Sequence, residues 1–195
     1  MIQLLRVDHR LLHGQVAVSW VQGLGSDCIF CVGDKVANDP VWKTTLKMGK
    51  PANVKLVIKA MEHAIEAINS GVTDKYKMII CVATIAEAKQ LVEGCPQIKS
   101  VNLGNTKPKD EKRPDARQVS RQIFLTAAEE ADVREMLNNG VEVEIKKMPT
   151  QARHVAMAAG EVQAIATTVD THITYVAANV PVTQVEPGQS LVQAL

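Results

Sequence analysis

The stretch RVDHRLLHGQV, which starts at Arg6, brings together the residue types that phosphoryl chemistry uses. His9 and His13 lie four residues apart, beside Arg10 and the carboxylate of Asp8. The planar guanidinium of arginine can donate two parallel hydrogen bonds to phosphate oxygens. A carboxylate that bonds one imidazole nitrogen fixes the tautomer and leaves the other nitrogen nucleophilic. The stretch therefore predicts a histidine that accepts a phosphoryl group.

The same residues allow two other interpretations. HRLLH has the spacing of a helical metal site with two histidines. However, Arg10 would repel a cation, and the glutamate of the zinc-protease motif is missing. In the simplest interpretation, His9 and His13 only satisfy backbone groups of a loop. A dinucleotide site is disfavoured because no GxGxxG follows the first strand-like run, and a P-loop is also absent.

The wider sequence alternates short apolar runs with helical patterns. This alternation predicts an α/β fold with an open, mainly parallel twisted sheet and helices on both faces. Asp39 followed by Pro40 predicts one helix start. The capping boxes at 84–87 (TIAE) and 126–129 (TAAE) predict two more helix starts. The strand-like runs are IQLLRV, DCIFCVG, NVKLVIK, KMIICVA, QIKSVNLG, RQIFL and VEVEIKKM.

Sheets of this kind bind ligands beyond the carboxyl ends of their strands. The segments to search are therefore the predicted strand-to-helix loops 8–15, 33–40, 82–85 and 103–118. In the first of these, His13 directly precedes a predicted helix start, where free amides favour phosphate. In the last, residues 107–117 are polar and charged, which predicts a solvated loop that could also flank a site.

Length and composition limit the classes of protein to consider. The chain has 195 residues, enough for one ordinary domain, with 46% hydrophobic and 22% charged residues and a net charge of +1. Neither the charge nor the 3% aromatic content favours a nucleic-acid partner. The first residues do not resemble a signal peptide, and no apolar run approaches membrane-spanning length.

The four cysteines are predicted to be reduced core residues of a cytosolic protein. They are Cys28, Cys31, Cys81 and Cys95. Cys28 and Cys31 lie three apart in a strand-like run, so their side chains should face opposite sides of the sheet. We therefore do not expect this pair to bind a metal or form a redox centre.

The motif at Arg6 resembles the active-site loop of the IIB component of the mannose/fructose/sorbose family of the bacterial sugar phosphotransferase system. That family's pattern is roughly R-[IV]-D-x-R-L-[IL]-H-G-Q-V, and nearly every fixed position is matched. Further matches are DKVANDP at 34–40, VNLGN at 101–105, and the region from Gly140 to Pro149. The resemblance spans about residues 1–150.

The resemblance implies a phosphohistidine carrier, a protein-phosphohistidine–sugar phosphotransferase. A IIA protein or domain would phosphorylate His13, on Nδ1. His13 would pass the group to a sugar held by the membrane IIC and IID components. Arg10 and Arg6 would steady the phosphoryl group while Asp8 orients the loop. His9 falls at a variable position of the pattern, where its role would be limited to tuning His13.

Other parts of the site are also implied by the resemblance. Gly14 and Gln15 would offer amides to the phosphoryl group. Asn105 could donate to phosphate or only form a turn. Asp34 and Asp39 could shape the rim, although Asp39 fits a helix cap equally well. No cofactor or metal is implied.

The family pattern also bears on domains, partners and location. Residues 1–150 would form the IIB domain, and 151–195 a C-terminal extension of unknown role. The chain would be cytoplasmic and associate peripherally with the membrane permease, with a homo-oligomer possible. The sugar is not specified by this sequence. The competing function is a phosphorylation-state sensor that binds a regulatory partner without phosphorylating sugar.

Overall fold

A computed structural model describes residues 1–14 and 20–145 of the chain. Gln15 and the predicted extension 151–195 lie outside the described residues. The strands are β1 (Ile2–Asp8), β2 (Cys28–Val32), β3 (Lys55–Lys59), β4 (Met78–Val82), β5 (Ser100–Asn105), β6 (Arg117–Ser120), β7 (Ile123–Leu125) and β8 (Glu142–Glu144). The helices are α1 (Val21–Leu24), α2 (Asp34–Asn38), α3 (Pro40–Gly49), α4 (Met61–Asn69), α5 (Ile85–Gly94) and α6 (Ala127–Asn138).

Six of the described strands form one parallel sheet in the order β3-β2-β4-β1-β5-β8. Helices cover both of its faces, as the alternation predicts. Helices α4, α5 and α6 pack on one face, against side chains such as Phe30 and Ile80. Helices α1, α2 and α3 pack on the other face, against side chains such as Ile29 and Ile79. Every residue of β2 and β4 is buried, which explains their continuous apolar runs.

The cysteines confirm this alternation of faces. All four are free and buried. Cys28 belongs to the core beneath α4, α5 and α6, whereas Cys31 belongs to the core on the opposite face. The two thiols therefore point away from each other, as their spacing predicts.

The three helix starts predicted from the sequence are confirmed. Asp39 Oδ1 accepts a hydrogen bond of 2.9 Å from the backbone of Trp42, at the start of α3. Thr84 and Thr126 each complete a capping box, with Glu87 and Glu129 respectively. These caps satisfy amides that a helix start would otherwise leave unpaired.

Two elements differ from the expectation. Arg117–Ser120 forms β6, which pairs with β7 in an antiparallel hairpin separate from the main sheet. The predicted loop 33–40 contains the short helix Asp34–Asn38. Both elements are too short to show a periodic apolar pattern. Within the described residues, no helix has the length and apolar character needed to cross a membrane.

Candidate active site

The end of β1 delivers the central residues of the site. Asp8 is the last residue of the strand and is fully buried at the carboxyl edge of the sheet. The chain then turns sharply, with Leu11 N–H donating to the carbonyl of Asp8 over 2.7 Å. Leu11 adopts a left-handed φ of 55°, which costs a leucine about 1–2 kcal/mol. Burial of Leu11 and Leu12 in the core holds this turn, and the turn returns His13 to the side of Asp8.

The carboxylate of Asp8 contacts three other residues of the site: Arg6, Arg10 and His13. Its Oδ2 accepts a hydrogen bond from Arg6 Nη2 over 3.2 Å and lies 3.1 Å from His13 Nε2. Its Oδ1 accepts from the backbone N–H of Arg10 over 3.2 Å. Burial alone would raise the pKa of Asp8, but the His13 hydrogen bond and the Arg6 charge outweigh it and hold the pKa below its usual value. Asp8 is therefore a carboxylate at neutral pH.

This contact decides which nitrogen of His13 can react. An ionised carboxylate only accepts hydrogen bonds, so the His13 nitrogen that faces it, Nε2, must carry a proton. In the neutral ring, Nδ1 then holds the free electron pair. The ring remains 24% exposed, so solvent or a partner can reach it. The next residue, Gly14, is helical and has open space beside its Cα.

The two arginines predicted for the site lie in different environments. The Arg10 side chain is 51% exposed, with Nε 4.0 Å from Asp8 Oδ1, so it can meet an incoming anion. The Arg6 side chain is only 9% exposed and lies beneath the site. Its guanidinium lies 5.2 Å from the ring centre of Trp20, in cation–π geometry. Burial lowers the pKa of Arg6, although Asp8 opposes that shift.

Two residues of β5 form a seat for Arg6 that the sequence analysis did not find. Asn102 Oδ1 accepts from Arg6 Nη1 over 2.7 Å. Gly104 lies where the β1–β5 register shifts, and a Cβ there would overlap the guanidinium of Arg6. The sequence signal for this seat was the VNLGN motif, in which the polar Asn102 and the small Gly104 alternate with the buried apolar residues Val101 and Leu103.

The remaining predicted site residues take varied positions. The carbonyl of Asn105 accepts from His9 N–H over 3.0 Å, which fixes the start of the loop. Asp39 caps α3, and Asp34 Oδ1 accepts from the backbone of Met61 at the start of α4. In the part of the chain that the structure describes, no group of three or more His, Cys, Asp or Glu side chains could hold a metal ion.

A cleft of about 390 Å³ lies beside this site, at the carboxyl ends of β2 and β4, and we call it the β2–β4 cleft. His9 lines it, whereas His13 is not among its lining residues. Its charged and polar lining includes Lys35, Trp42, Thr84, Lys107 and Arg113.

The chain is similar in sequence to a protein family and to several known proteins. The family model described as "PTS system sorbose subfamily IIB component" matches residues 2–173. The sorbose-specific EIIB component of Lacticaseibacillus casei is 31% identical over 149 residues, which is 76% of this chain and 88% of that protein. The N-acetylgalactosamine-specific IIB component 2 of Escherichia coli is 28% identical over 150 residues, covering 77% of this chain and 92% of that protein.

A solved structure is also similar. The crystal structure of the N-acetylgalactosamine-specific IIB component 1 of Escherichia coli superposes with a TM-score of 0.69 at 28% identity. The match covers 76% of this chain and 95% of that one.

The fold shared with a solved IIB component and the matching family model together place the chain in the class of phosphotransferases. The chain belongs to the family of sorbose-subfamily IIB components of the sugar phosphotransferase system. As a IIB component, it accepts a phosphoryl group from IIA and transfers it to a sugar.

Proposed function

We propose that His13 carries the phosphoryl group, on Nδ1. The observation that carries this proposal is the 3.1 Å contact between His13 Nε2 and Asp8 Oδ2. This contact occupies Nε2 and leaves the electron pair of Nδ1 to attack phosphorus. His9 has no such carboxylate contact among the described residues; its backbone is instead bound by Asn105.

In the accepting step, Nδ1 attacks the phosphorus atom carried by IIA. The N–P bond forms as the bond to the donor breaks, and the donor keeps that electron pair. The ring of His13 gains positive charge, which the Asp8 carboxylate offsets. The exposed guanidinium of Arg10 steadies the negative oxygens of the transferring group. Amides at Gly14 and Gln15, and Asn105 at the end of β5, complete the proposed phosphate-binding set.

In the delivering step, a sugar hydroxyl oxygen attacks phosphorus. The N–P bond breaks, its electron pair returns to Nδ1, and the hydroxyl proton leaves to solvent. Such transfers depend mainly on positioning and electrostatics. Arg6 supports both steps without contacting the phosphoryl group. Its buried guanidinium packs against Asn102 and Gly104 and from there donates a hydrogen bond to Asp8.

The partners follow from the family. The proposed donor is a IIA protein or domain, and the proposed acceptor is a sugar held by membrane IIC and IID components. We place the chain in the cytoplasm, in peripheral contact with that permease. Related proteins are named for sorbose, fructose, mannose and N-acetylgalactosamine, so a monosaccharide of this range is the proposed substrate. Residues 1–150 are proposed as the IIB domain.

Labelling tests the assignment of His13. The chain is incubated with labelled phosphoenolpyruvate, the general phosphotransferases and a IIA protein, and the acid-labile modification is mapped. We expect a single labelled histidine, and we expect His13→Ala to abolish labelling. The control His63→Ala removes an imidazole that is 67% exposed on α4 and should label like the native chain. Full labelling of His13→Ala, with loss of label in His9→Ala, would show that the assignment is wrong.

A further inference from the structure

The β2–β4 cleft lies at a point where the sheet's connections diverge. After β2 the chain continues into α2 and α3, which pack on one face. After β4 it continues into α5, which packs on the opposite face. Neighbouring strands whose connections leave on opposite faces open a crevice at their carboxyl ends, and open α/β sheets bind ligands in such crevices. The volume of about 390 Å³ is in the range of small-molecule sites.

Two carboxylates line the cleft, and both already have partners. Glu87 Oε2 accepts from the backbone of Ala83 over 2.9 Å and of Thr84 over 3.0 Å. Glu129 accepts from the backbone of Thr126 over 2.9 Å and from the guanidinium of Arg113. The charge of Arg113 balances that of Glu129, whereas the two backbone amides stabilise the charge of Glu87 without cancelling it.

The two lysines of the lining are different. None of the ion pairs among the described residues involves Lys35 or Lys107. Both reach the same cleft, one from α2 and the other from the segment after β5. Two ammonium groups without carboxylate partners favour an anionic ligand, because a phosphate can accept charge-assisted hydrogen bonds from both.

The remainder of the lining is suited to something larger than an ion. The half-buried ring of Trp42 offers an apolar surface. Thr84 Oγ1 accepts from the backbone of Glu87, so its own hydroxyl hydrogen can be donated to a ligand. Inorganic phosphate alone would leave the Trp42 surface unused.

We propose that the β2–β4 cleft binds a phosphorylated monosaccharide, with its phosphate between Lys35 and Lys107 and its ring against Trp42. The choice of a sugar ester rests on the proposed function; the preference for an anion rests on the cleft alone. The site is separate from His13, and His9 connects the two because it lines the cleft and begins the loop that carries His13.

Calorimetric titration at fixed ionic strength tests this proposal. The probes are mannose 6-phosphate, mannose and inorganic phosphate, added to the full chain. We expect saturable binding of mannose 6-phosphate, weaker binding of inorganic phosphate and no measurable binding of mannose. The double variant K35A/K107A should weaken binding of mannose 6-phosphate by about tenfold or more. Trp42→Ala should weaken binding of the sugar ester more than binding of phosphate.

The matched control is K77A/K99A, which removes the same charge. Both control lysines are exposed and directly precede β4 and β5, at the opposite edge of the sheet. This variant should bind mannose 6-phosphate within about twofold of the native chain. An equal loss of affinity in both double variants would show that the net charge of the chain, and not the position of Lys35 and Lys107, determines binding, and would overturn the proposal.

Other outcomes are equally decisive. Absence of saturable binding, or equal affinity for inorganic phosphate and mannose 6-phosphate, would overturn the assignment of a sugar phosphate. The variant His13→Ala separates this proposal from the proposed function, because it should lose phosphoryl labelling and keep mannose 6-phosphate binding. Loss of that binding in His13→Ala would place the ligand at His13 and overturn the separate site.

Discussion

At the scale of single residues, the proposed reactivity of His13 depends on the charge of Arg6, which is buried beneath the site. Asp8 can hold His13 only if the carboxylate itself is held, and buried Arg6 does this. A buried charge is costly unless its hydrogen bonds are satisfied. Asn102 supplies one of those bonds, and Gly104 supplies the space. We therefore regard both as positioning residues.

The seat of Arg6 gives the first prediction at this scale. Gly104→Ala places a Cβ on the guanidinium of Arg6, so Arg6 must move and Asp8 loses part of its support. We expect a loss of about 1–3 kcal/mol in the free energy of unfolding, as for other overpacked sites. Urea unfolding measures the stability change, and the rate of His13 labelling by IIA should fall as well.

Gly49→Ala is the matched control for this substitution. Gly49 is the last residue of α3, and a Cβ there meets nothing within 4 Å. Alanine is the better helix former, so this variant should be as stable as the native chain or more stable by up to about 1 kcal/mol. If Gly104→Ala behaves like Gly49→Ala, Gly104 has no positioning role.

The sequence alone identifies the stretch that holds some of these residues. Arg6, Asp8 and His13 lie within eight consecutive residues whose types favour phosphoryl chemistry, and the family resemblance favours His13 over His9. Asn102 and Gly104 are about a hundred residues away, and their roles depend on the register between β1 and β5. A register is set by packing of the whole sheet, so a local pattern does not reveal it.

At the scale of secondary structure, local signals predicted the three helix starts and the short strands β7 and β8, and missed β6 and α2. Caps are local because the side chain and the amides it satisfies lie within three residues of each other. The hairpin of β6 and β7 instead depends on distant contacts, such as that of Thr106 Oγ1 with the carbonyl of Phe124 over 2.7 Å. Residues 107–117 are exposed as predicted, apart from Arg113, which pairs with Glu129, and Ala116, which is buried.

The cap of α5 gives a prediction at this scale. Thr84→Ala removes the hydroxyl that accepts from the backbone of Glu87 over 3.2 Å. We expect a loss of about 1 kcal/mol in stability to thermal or urea unfolding. Thr84→Ser keeps the oxygen and should restore most of the loss. The control Thr45→Ala removes an exposed hydroxyl that only bonds the carbonyl of Val41 within α3, and should change stability little. Equal losses in Thr84→Ala and Thr84→Ser would contradict the capping argument.

At the scale of the whole molecule, parallel pairing gathers distant segments at one edge. The predicted loops 8–15, 33–40, 82–85 and 103–118 all supply residues to the active site or to the β2–β4 cleft. The alternating pattern was sufficient to predict that these loops meet, because the carboxyl ends of parallel strands share an edge. It was insufficient to predict which loops adjoin, since that follows from the strand order β3-β2-β4-β1-β5-β8.

This arrangement also makes stability depend on pH through His9. Burial lowers the pKa of His9 from its usual value of 6.5, and the nearby charges of Arg10 and Lys107 act in the same direction. The charge of Asp8 and the backbone of Asn105 oppose this shift without cancelling it. His9 Nδ1 is buried and has no hydrogen-bond partner among the described residues, so protonation there would leave a buried N–H unsatisfied. The unfolded chain therefore takes up this proton at a higher pH than the folded chain does.

The sign of the effect follows from that difference. Neutral His9 contributes to the free energy of unfolding above pH 6.5. This contribution is lost as the pH falls through the pKa of His9 in the folded chain, which is lower than 6.5. The pKa of Asp8 is also lowered, from its usual value of 3.8, so its contribution to stability is fully present above that pH. Asp8 therefore does not change the pH dependence near pH 6. We expect the stability of the native chain, relative to His9→Gln, to decrease as the pH falls from about 7.5 to 5.5.

Urea unfolding of both proteins across this range measures the difference in stability, in which the contributions of the other histidines cancel. The control His63→Gln removes an imidazole that solvent reaches in both folded and unfolded chains. A difference between native and His9→Gln that is constant or grows on acidification would contradict the burial argument, and His9 would then be an ordinary surface residue beside the cleft.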